Sequence, residues 1–291
     1  MTTDLALELR GVRKAYKGFV LKDVSFTLPR GYIGGLIGPN GSGKTTIINL
    51  IMNLVRRDAG EVRVFGMDNI RDEVAVRSRI GFVYDVPGFW DDQTLRRHQR
   101  ALGAFYPRWS DATFIRLAAE FGLPLEKTFK SLSGGMKTKF ALAMALSHEA
   151  DLLIMDEPTA GLDPIFRREL LQRLSALLQD EGKSILFSTH ITSDLDRVAD
   201  YVTFVRRGEI VFSLPRMDLL ESWAIVKGTA AELARLDQST VKGLRHRATG
   251  GEALVSDVAS ARRVLGPAAV IERPRLEDVM VLMDGEAAHA A

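Results

Sequence analysis

This chain predicts an α/β fold built around a largely parallel sheet, on three observations. Strand-like apolar runs alternate with helix-like segments through most of the sequence. Two of those runs, Leu152 to Met155 and Ser184 to Phe187, are nearly continuous in apolar residues, as strands covered on both faces must be. The glycine-rich octet Gly38-Pro39-Asn40-Gly41-Ser42-Gly43-Lys44-Thr45 joins the apolar run Tyr32 to Ile37 to a helix-like run, Thr45 to Leu54.

The elements follow in order. Leu5 to Arg10 and Val20 to Leu28 alternate apolar and polar residues, the period of half-buried antiparallel strands. Gly60 to Phe65 reads as a further short strand and Ile80 to Tyr84 as a buried one. From Thr94 to Gly122 the period turns helical, through Leu95, Leu102 and Phe105 and then Phe114, Leu117 and Phe121. This places a helical insert over about residues 90–150, between core strands. A helix from about Ile165 to Gln179 separates the two apolar strands, and Tyr201 to Val205 with Glu209 to Phe212 read as a hairpin turning at Arg206-Arg207-Gly208. Pro215 marks a boundary. A main domain is expected over 1–215 and a small α+β accessory domain over 216–291, with Glu286 to Ala291 a frayed tail.

Composition narrows the classes. The 291 residues allow one large or two smaller domains with ample core. A net charge of +2, from 39 basic and 37 acidic residues, carries no basic tail, so no nucleic-acid partner is expected. The absence of cysteine excludes disulfides, thiol catalysis and cysteine-bound zinc. The first residues do not read as a signal peptide, and no uncharged apolar run approaches the roughly 18 residues of a membrane span.

The octet has the form G-x-x-x-x-G-K-[ST], the pattern of a triphosphate cradle. Gly38, Gly41 and Gly43 let the backbone turn tightly enough for successive N–H groups to point at phosphate oxygens, at the positive end of the following helix. Lys44 supplies a charge for the outer phosphates, Thr45 places a hydroxyl where Mg²⁺ would sit, and Thr46 continues the first turn. Downstream, Asp151 to Glu157 is an apolar strand ending in two adjacent carboxylates. That pattern suits a metal contact from Asp156 and a general base at Glu157, or two acids that merely open a loop. Leu132-Ser133-Gly134-Gly135-Met136 precedes an apolar helix, and Ser133 with the backbone of Gly134 and Gly135 makes a second helix end able to cap itself or hold an anion.

Taken together, Gly38 to Thr45, Leu132 to Met136, Ile154 to Glu157, Ala160 to Asp163 and Ser188-Thr189-His190 resemble, in order, the phosphate loop, signature, carboxylate strand, D-loop and switch histidine of ABC-type ATPases. The resemblance covers residues 5 to about 215. It implies an ABC-type P-loop ATPase core with an N-terminal antiparallel β subdomain, a helical signature subdomain and the small C-terminal α+β appendage. ATP and Mg²⁺ are the expected ligands. In this family an aromatic residue at the place of Tyr16 stacks on adenine, and each ATP lies between the phosphate loop of one subunit and Ser133 to Gly135 of another. By the same resemblance Glu157 polarises the attacking water, His190 holds the γ-phosphate and that water, and Asp163 couples the two sites. Phe82-Val83-Tyr84-Asp85 and Gly135 to Lys139 look most like type-2 exporter ATPases of the YtrB and bacitracin-resistance kind, and Arg275-Leu276-Glu277-Asp278-Val279-Met280 resembles a segment near the end of many of them.

One residue departs from the family pattern: Asp85 stands where the family has a glutamine that contacts Mg²⁺ and relays nucleotide state to the membrane partner. Aspartate is also a hard oxygen ligand, so a metal role is retained as an expectation. The implied protein is a homodimer, or a heterodimer with a similar ATPase subunit. It would drive separate integral-membrane permease subunits from the cytoplasmic face of the cell membrane, in the direction of export. Two alternatives stand beside it: a soluble ABC ATPase acting on ribosomes or DNA, and a degenerate subunit that senses ATP.

Overall fold

The computed structural model describes residues 4–85, 88–247, 250–267 and 269–284; the tail expected over Glu286 to Ala291 lies outside them. The described chain is mixed α/β and divides into two compact units, residues 1–190 with 203–213, and residues 191–202 with 214–291.

In the first unit, strands β1 (Leu5–Tyr16) and β2 (Phe19–Pro29) form an antiparallel hairpin. Strand β3 (Ile33–Ile37) runs through the glycine-rich loop into α1 (Lys44–Ile51). Strands β4 (Ala59–Val64) and β5 (Met67–Asp68) return to the hairpin, giving a sheet in the order β2-β1-β4-β5. Its burial alternates along β2, as an antiparallel sheet with one face covered requires. Helix α2 (Glu73–Ser78) then leads to β6 (Ile80–Val83).

The expected helical stretch from Thr94 to Gly122 is two helices, α3 (Leu95–Gly103) and α4 (Asp111–Glu120). Local chemistry explains the break. Pro107 disfavours helix at the residue before it, and Ser110 starts a new helix by accepting the Thr113 N–H. Gly103 also sits so close to Trp109 that a Cβ there would lie 2.7 Å from the indole. Helix α5 (Gly134–Leu146) completes this part, with Phe114, Phe129 and Phe140 fully buried.

Strands β7 (Leu152–Asp156) and β8 (Ser184–Thr189), either side of α6 (Pro164–Leu177), are buried at every residue, as their continuous apolar sequence predicts. They pair in parallel with each other, with β6 and with β3. After α7 (Thr192–Val198), strands β9 (Tyr201–Arg206) and β10 (Glu209–Pro215) complete the order β10-β9-β3-β8-β7-β6. Between β9 and β10, Arg207 and Gly208 both have positive φ, the geometry of a two-residue hairpin turn. Gly208 is required there: a Cβ would lie 2.0 Å from the Val20 carbonyl oxygen. The Gly208 N–H donates to the Ser42 carbonyl at 2.9 Å, tying the turn to the phosphate loop.

The second unit contains α7, α8 (Arg216–Ser222) and the succession β11 (Ala224–Gly228), α9 (Ala230–Ala234), β12 (Val241–Arg247), β13 (Gly250–Val255), α10 (Val258–Leu265) and β14 (Val270–Glu272). The order β12-β13-β11-β14, all antiparallel, is that of a ferredoxin-like βαββαβ sheet. Ala224, Val226, Leu233, Ala253, Val255 and Ala261 form its core. Helix α11 (Leu276–Asp284) packs against β12, β13 and α7. Gly243 admits it, since a Cβ there would lie 2.2 Å from the Leu282 carbonyl oxygen. Because α7 packs on α11, residues 191–202 group with the C-terminal unit, so the units divide the chain differently from a single cut after residue 215.

His148 gives the fold a pH signature. The ring is buried, stacks on Tyr106 at 4.0 Å, and its Nδ1 has no hydrogen-bond partner among the described residues. Burial above all, with Arg108 and Lys183 assisting and Asp151 opposing, pushes its pKa down to about 4. The unfolded chain therefore binds a proton that the fold excludes, and stability is lost as pH falls from about 6.5 towards 4, by up to about 3 kcal/mol. Burial lowers His98 as well, in the same sense. In urea unfolding between pH 4 and 7, His148→Phe should flatten this slope; an unchanged slope would mean that His148 is not its source.

Candidate functional site

The glycine-rich loop connects β3 to α1 and encloses a cavity of about 430 Å³ lined by Phe19, Asn40, Gly41, Gly43, Lys44, Thr45, Thr46, Asp85 and Glu157. Gly38 has φ of 154°, and a Cβ there would lie 2.2 Å from the Val205 carbonyl oxygen, so only glycine fits. Lys44 is buried, with its Nζ donating to the carbonyls of Gly38 at 2.8 Å and Pro39 at 3.3 Å. Burial lowers its pKa, opposed by Glu157 and then Asp156. Glu157 Oε1 is 3.9 Å from the ammonium. Ser42 is buried, and its Oγ has no partner among the described residues. A cationic, donor-rich pocket with an unanswered hydroxyl suits a polyanion with many acceptor oxygens.

The carboxylate pair sits at the end of β7. Asp156 is buried, accepting from the Thr45 hydroxyl at 2.8 Å and from the Ser188 hydroxyl. Because its O–H donates to Asp156, Thr45 keeps its lone pairs free for a hard cation. Among the described residues no group of three or more His, Asp or Glu could hold a metal ion by itself. The hard oxygens of Thr45 and Asp156 fit an ion that shares its ligands with phosphate, as Mg²⁺ commonly does. Asp85 lines the same cavity. Burial first and then the Asp156 charge hold its carboxyl above the ordinary range, with His190 opposing.

Glu157 adopts φ of 49°, a left-handed conformation costing a non-glycine residue on the order of 1 kcal/mol. Its N–H donates to the Ser188 carbonyl at 3.1 Å, which holds the strained turn. Glu157 Oε2 lies 2.9 Å from His190 Nδ1 and accepts the His190 N–H at 3.3 Å. An ionised carboxylate only accepts, so the pair selects the Nδ1–H form of the ring.

The structure thus brings Asn40, Gly41, Gly43, Lys44, Thr45, Thr46, Asp85, Asp156, Glu157 and His190 together, with Gly38, Pro39 and Ser42 forming the loop behind them. Tyr16 does not line the cavity. It stands opposite Phe19 in the hairpin register, 43% exposed, with the Lys14 ammonium 5.7 Å from its ring. Ser133, Gly134, Gly135 and Asp163 do not line it either. Ser133 caps α5, accepting the Met136 N–H, and Asp163 caps α6, accepting the Phe166 N–H at 2.9 Å. Gly135 faces Leu162, so the signature turn and the D-loop adjoin. Sequence reasoning missed Phe19, which packs against Gly43, and the double role of Ser188 under Asp156 and Glu157. Ser188 was visible only as part of the Ser188-Thr189-His190 run.

A family model described as ABC transporter matches residues 21–160. The Nod factor export ATP-binding protein I of Rhizobium johnstonii is 33% identical over 97% of this chain and 95% of its own length. The chain belongs to the ABC transporter ATP-binding proteins. Another member, the bacitracin transport ATP-binding protein BcrA of Enterococcus faecalis, is 32% identical over 72% of this chain and 70% of its own. A solved ATP-binding subunit of an ABC transporter is 30% identical, with a TM-score of 0.68 over 74% of this chain and 92% of that one. The fold also matches a dimeric ATP-binding cassette in a post-hydrolysis state with ADP and phosphate, 23% identical with a TM-score of 0.65, over 72% of this chain and 98% of that one. Membership makes this chain an ATP-binding ATPase of the ABC family. Among the described residues no helix is long and apolar enough to cross a membrane.

Proposed function

We propose that this chain is the ATP-hydrolysing subunit of an ABC exporter, working as a dimer at the cytoplasmic face of the membrane on a separate integral-membrane permease. The observation that carries the reading is the cavity lined by Lys44, Thr45 and Glu157, with Asp156 bonded to Thr45 and His190 to Glu157, while Ser133 to Gly135 lie outside it. One chain thus provides half of an enclosure. A second subunit, identical or similar, supplies its α5 N-terminus to the open side, where the helix dipole and backbone N–H groups offset phosphate charge. Gly38 to Thr46 cradle the triphosphate, and Tyr16 beside Phe19 receives the base. Glu157 takes up the proton of the attacking water, His190 orients it, and Asp163 relays between the paired sites. Mg²⁺, held by Thr45, Asp156 and Asp85 together with phosphate oxygens, would supply charge neutralisation. The name of the Nod factor export relative supports the direction.

A surface for the permease is consistent with an apolar cavity of about 270 Å³ lined by Phe82, Phe89, Leu102, Phe105, Tyr106, Met144, Ala145 and His148. Phe105, 78% exposed, is the kind of side chain that a partner covers.

Phosphate release from ATP, titrated with Mg²⁺ with and without permease-bearing membranes, tests this reading. The parent chain should release phosphate only with Mg²⁺ and faster with membranes. Asp85→Ala should weaken the Mg²⁺ response and the membrane stimulation more than metal-free nucleotide binding, because the cation offsets the repulsion that Asp85 otherwise meets from Asp156. Asp85→Gln should keep substantial turnover. Superimposable curves for all three proteins would remove Asp85 from the metal site, and a parent chain indifferent to membranes would remove the permease.

A further inference from the structure

A second cavity, of about 370 Å³, lies within the first unit and shares no lining residue with the nucleotide cavity. That volume falls in the range of small-molecule sites, about 300–1,000 Å³. Ala145, Leu146, Leu153, Leu177 and Ile185 give it apolar walls. Leu153 and Ile185 belong to the first turns of chain in β7 and β8, so the cavity lies at the start of the strands whose far ends carry Asp156 and Thr189. The polar part of the lining is acidic in balance. Glu149 and Asp180 are both exposed, and neither carboxylate forms an ion pair among the described residues. Asp180 accepts the Gly182 N–H at 2.9 Å, while Glu149 acts on Arg108 only as a nearby charge. Arg108 itself is held by Asp151 at 2.9 Å. Lys183, the cation in the lining, is already engaged: its ammonium donates to the Glu149 carbonyl at 2.9 Å and lies 3.8 Å from Asp151. Two helix ends add to the negative side. Leu146 is the last residue of α5 and Leu177 the last of α6, and neither helix has a basic residue in its last turn. Each such end carries about half a negative charge from its aligned peptides.

We infer that this cavity binds a small amphiphilic organic cation, an ammonium group on a short alkyl chain, with the chain against Leu153, Leu177 and Ile185 and the ammonium at Glu149 and Asp180. The apolar walls supply the affinity, since removing alkyl surface from water is favourable whatever the head group. The charges supply the choice of head group. A single exposed ion pair contributes little, but here two carboxylates and two helix ends act on one cation. An anionic head group would meet all four as repulsion, which also keeps nucleotide out. The site is therefore separate from that of ATP in both place and charge, and the two ligands fill the chain independently.

Titration of the full chain with hexylammonium, hexanol and hexanoate, followed by calorimetry and by methyl NMR, tests it. Hexylammonium should bind about tenfold more tightly than hexanol, and hexanoate more weakly than either. The methyl signals of Leu153, Leu177 and Ile185 should shift, and saturating ATP should not displace the amine. In the Glu149→Gln, Asp180→Asn double variant hexanol should bind as in the parent, while the preference for ammonium falls to within about threefold, the share left to the helix ends. Both substitutions keep size and an acceptor oxygen, so the Gly182 N–H is still answered. Should the double variant fail to fold, Glu149→Gln alone, at an exposed carboxylate with no hydrogen bond among the described residues, should lose about threefold of the preference. Equal affinity for amine and alcohol in the parent, a preference unchanged in the variants, or shifts confined to other methyl groups would overturn the assignment. Displacement of the amine by ATP, or no binding at millimolar hexylammonium, would overturn it as well.

Discussion

Replacing Glu157 with Gln should leave ATP binding intact while cutting phosphate release by on the order of 10² to 10⁴. The substitution preserves size and the acceptor oxygen facing His190, but an amide has no basicity with which to take a proton from water. The surroundings are arranged for a carboxylate: the backbone is held in a left-handed turn by Ser188, His190 faces Oε2 at 2.9 Å and the Lys44 ammonium lies 3.9 Å from Oε1. None of the loop groups that would hold phosphate is altered. Closed, ATP-loaded dimers should therefore accumulate. Turnover within about threefold of the parent would show that Glu157 is not the base, whatever its geometry.

Ser133→Arg should abolish ATP-dependent dimerisation, and with it turnover, while each chain still binds nucleotide. Ser133 is exposed at the α5 N-terminus, where its side-chain oxygen accepts the Met136 N–H. Losing that cap costs the helix about 1 kcal/mol, too little to unfold the chain. A guanidinium group in its place fills the space that the facing triphosphate and its loop must enter. Fluorescent-nucleotide binding should match the parent, because Lys44, Thr45 and Asp156 are untouched. A dimer that still assembles on ATP would take Ser133 out of the composite site.

The parts of this account that were legible in the sequence are those in which local chemistry fixes local structure. The octet from Gly38 to Thr45 announced its own turn, since a loop that must bring N–H groups together needs glycine at set places. The strands ending at Asp156 and Thr189 were readable because a strand covered on both faces has no polar alternation. Less was legible where tertiary contacts decide. The left-handed turn at Glu157 depends on Ser188 from the neighbouring strand. Phe19 escaped notice because its role comes from packing on Gly43, far along the chain. The ferredoxin-like sheet was opaque beyond its α+β character. Its strands are short, and glycines at Gly228, Gly243, Gly250 and Gly251 make room for packing instead of contributing to a hydrophobic period.

The central claim is that two chains are needed to complete one ATP site, and the molar mass of the Glu157→Gln protein with and without ATP tests it most directly. Light scattering after size exclusion should give the 32.2 kDa of a single chain without nucleotide and twice that mass with ATP. Adding Ser133→Arg should return the mass to one chain while bound nucleotide remains. A Glu157→Gln chain that binds ATP and stays at 32.2 kDa, together with a parent whose turnover per chain does not change on dilution, would contradict the claim.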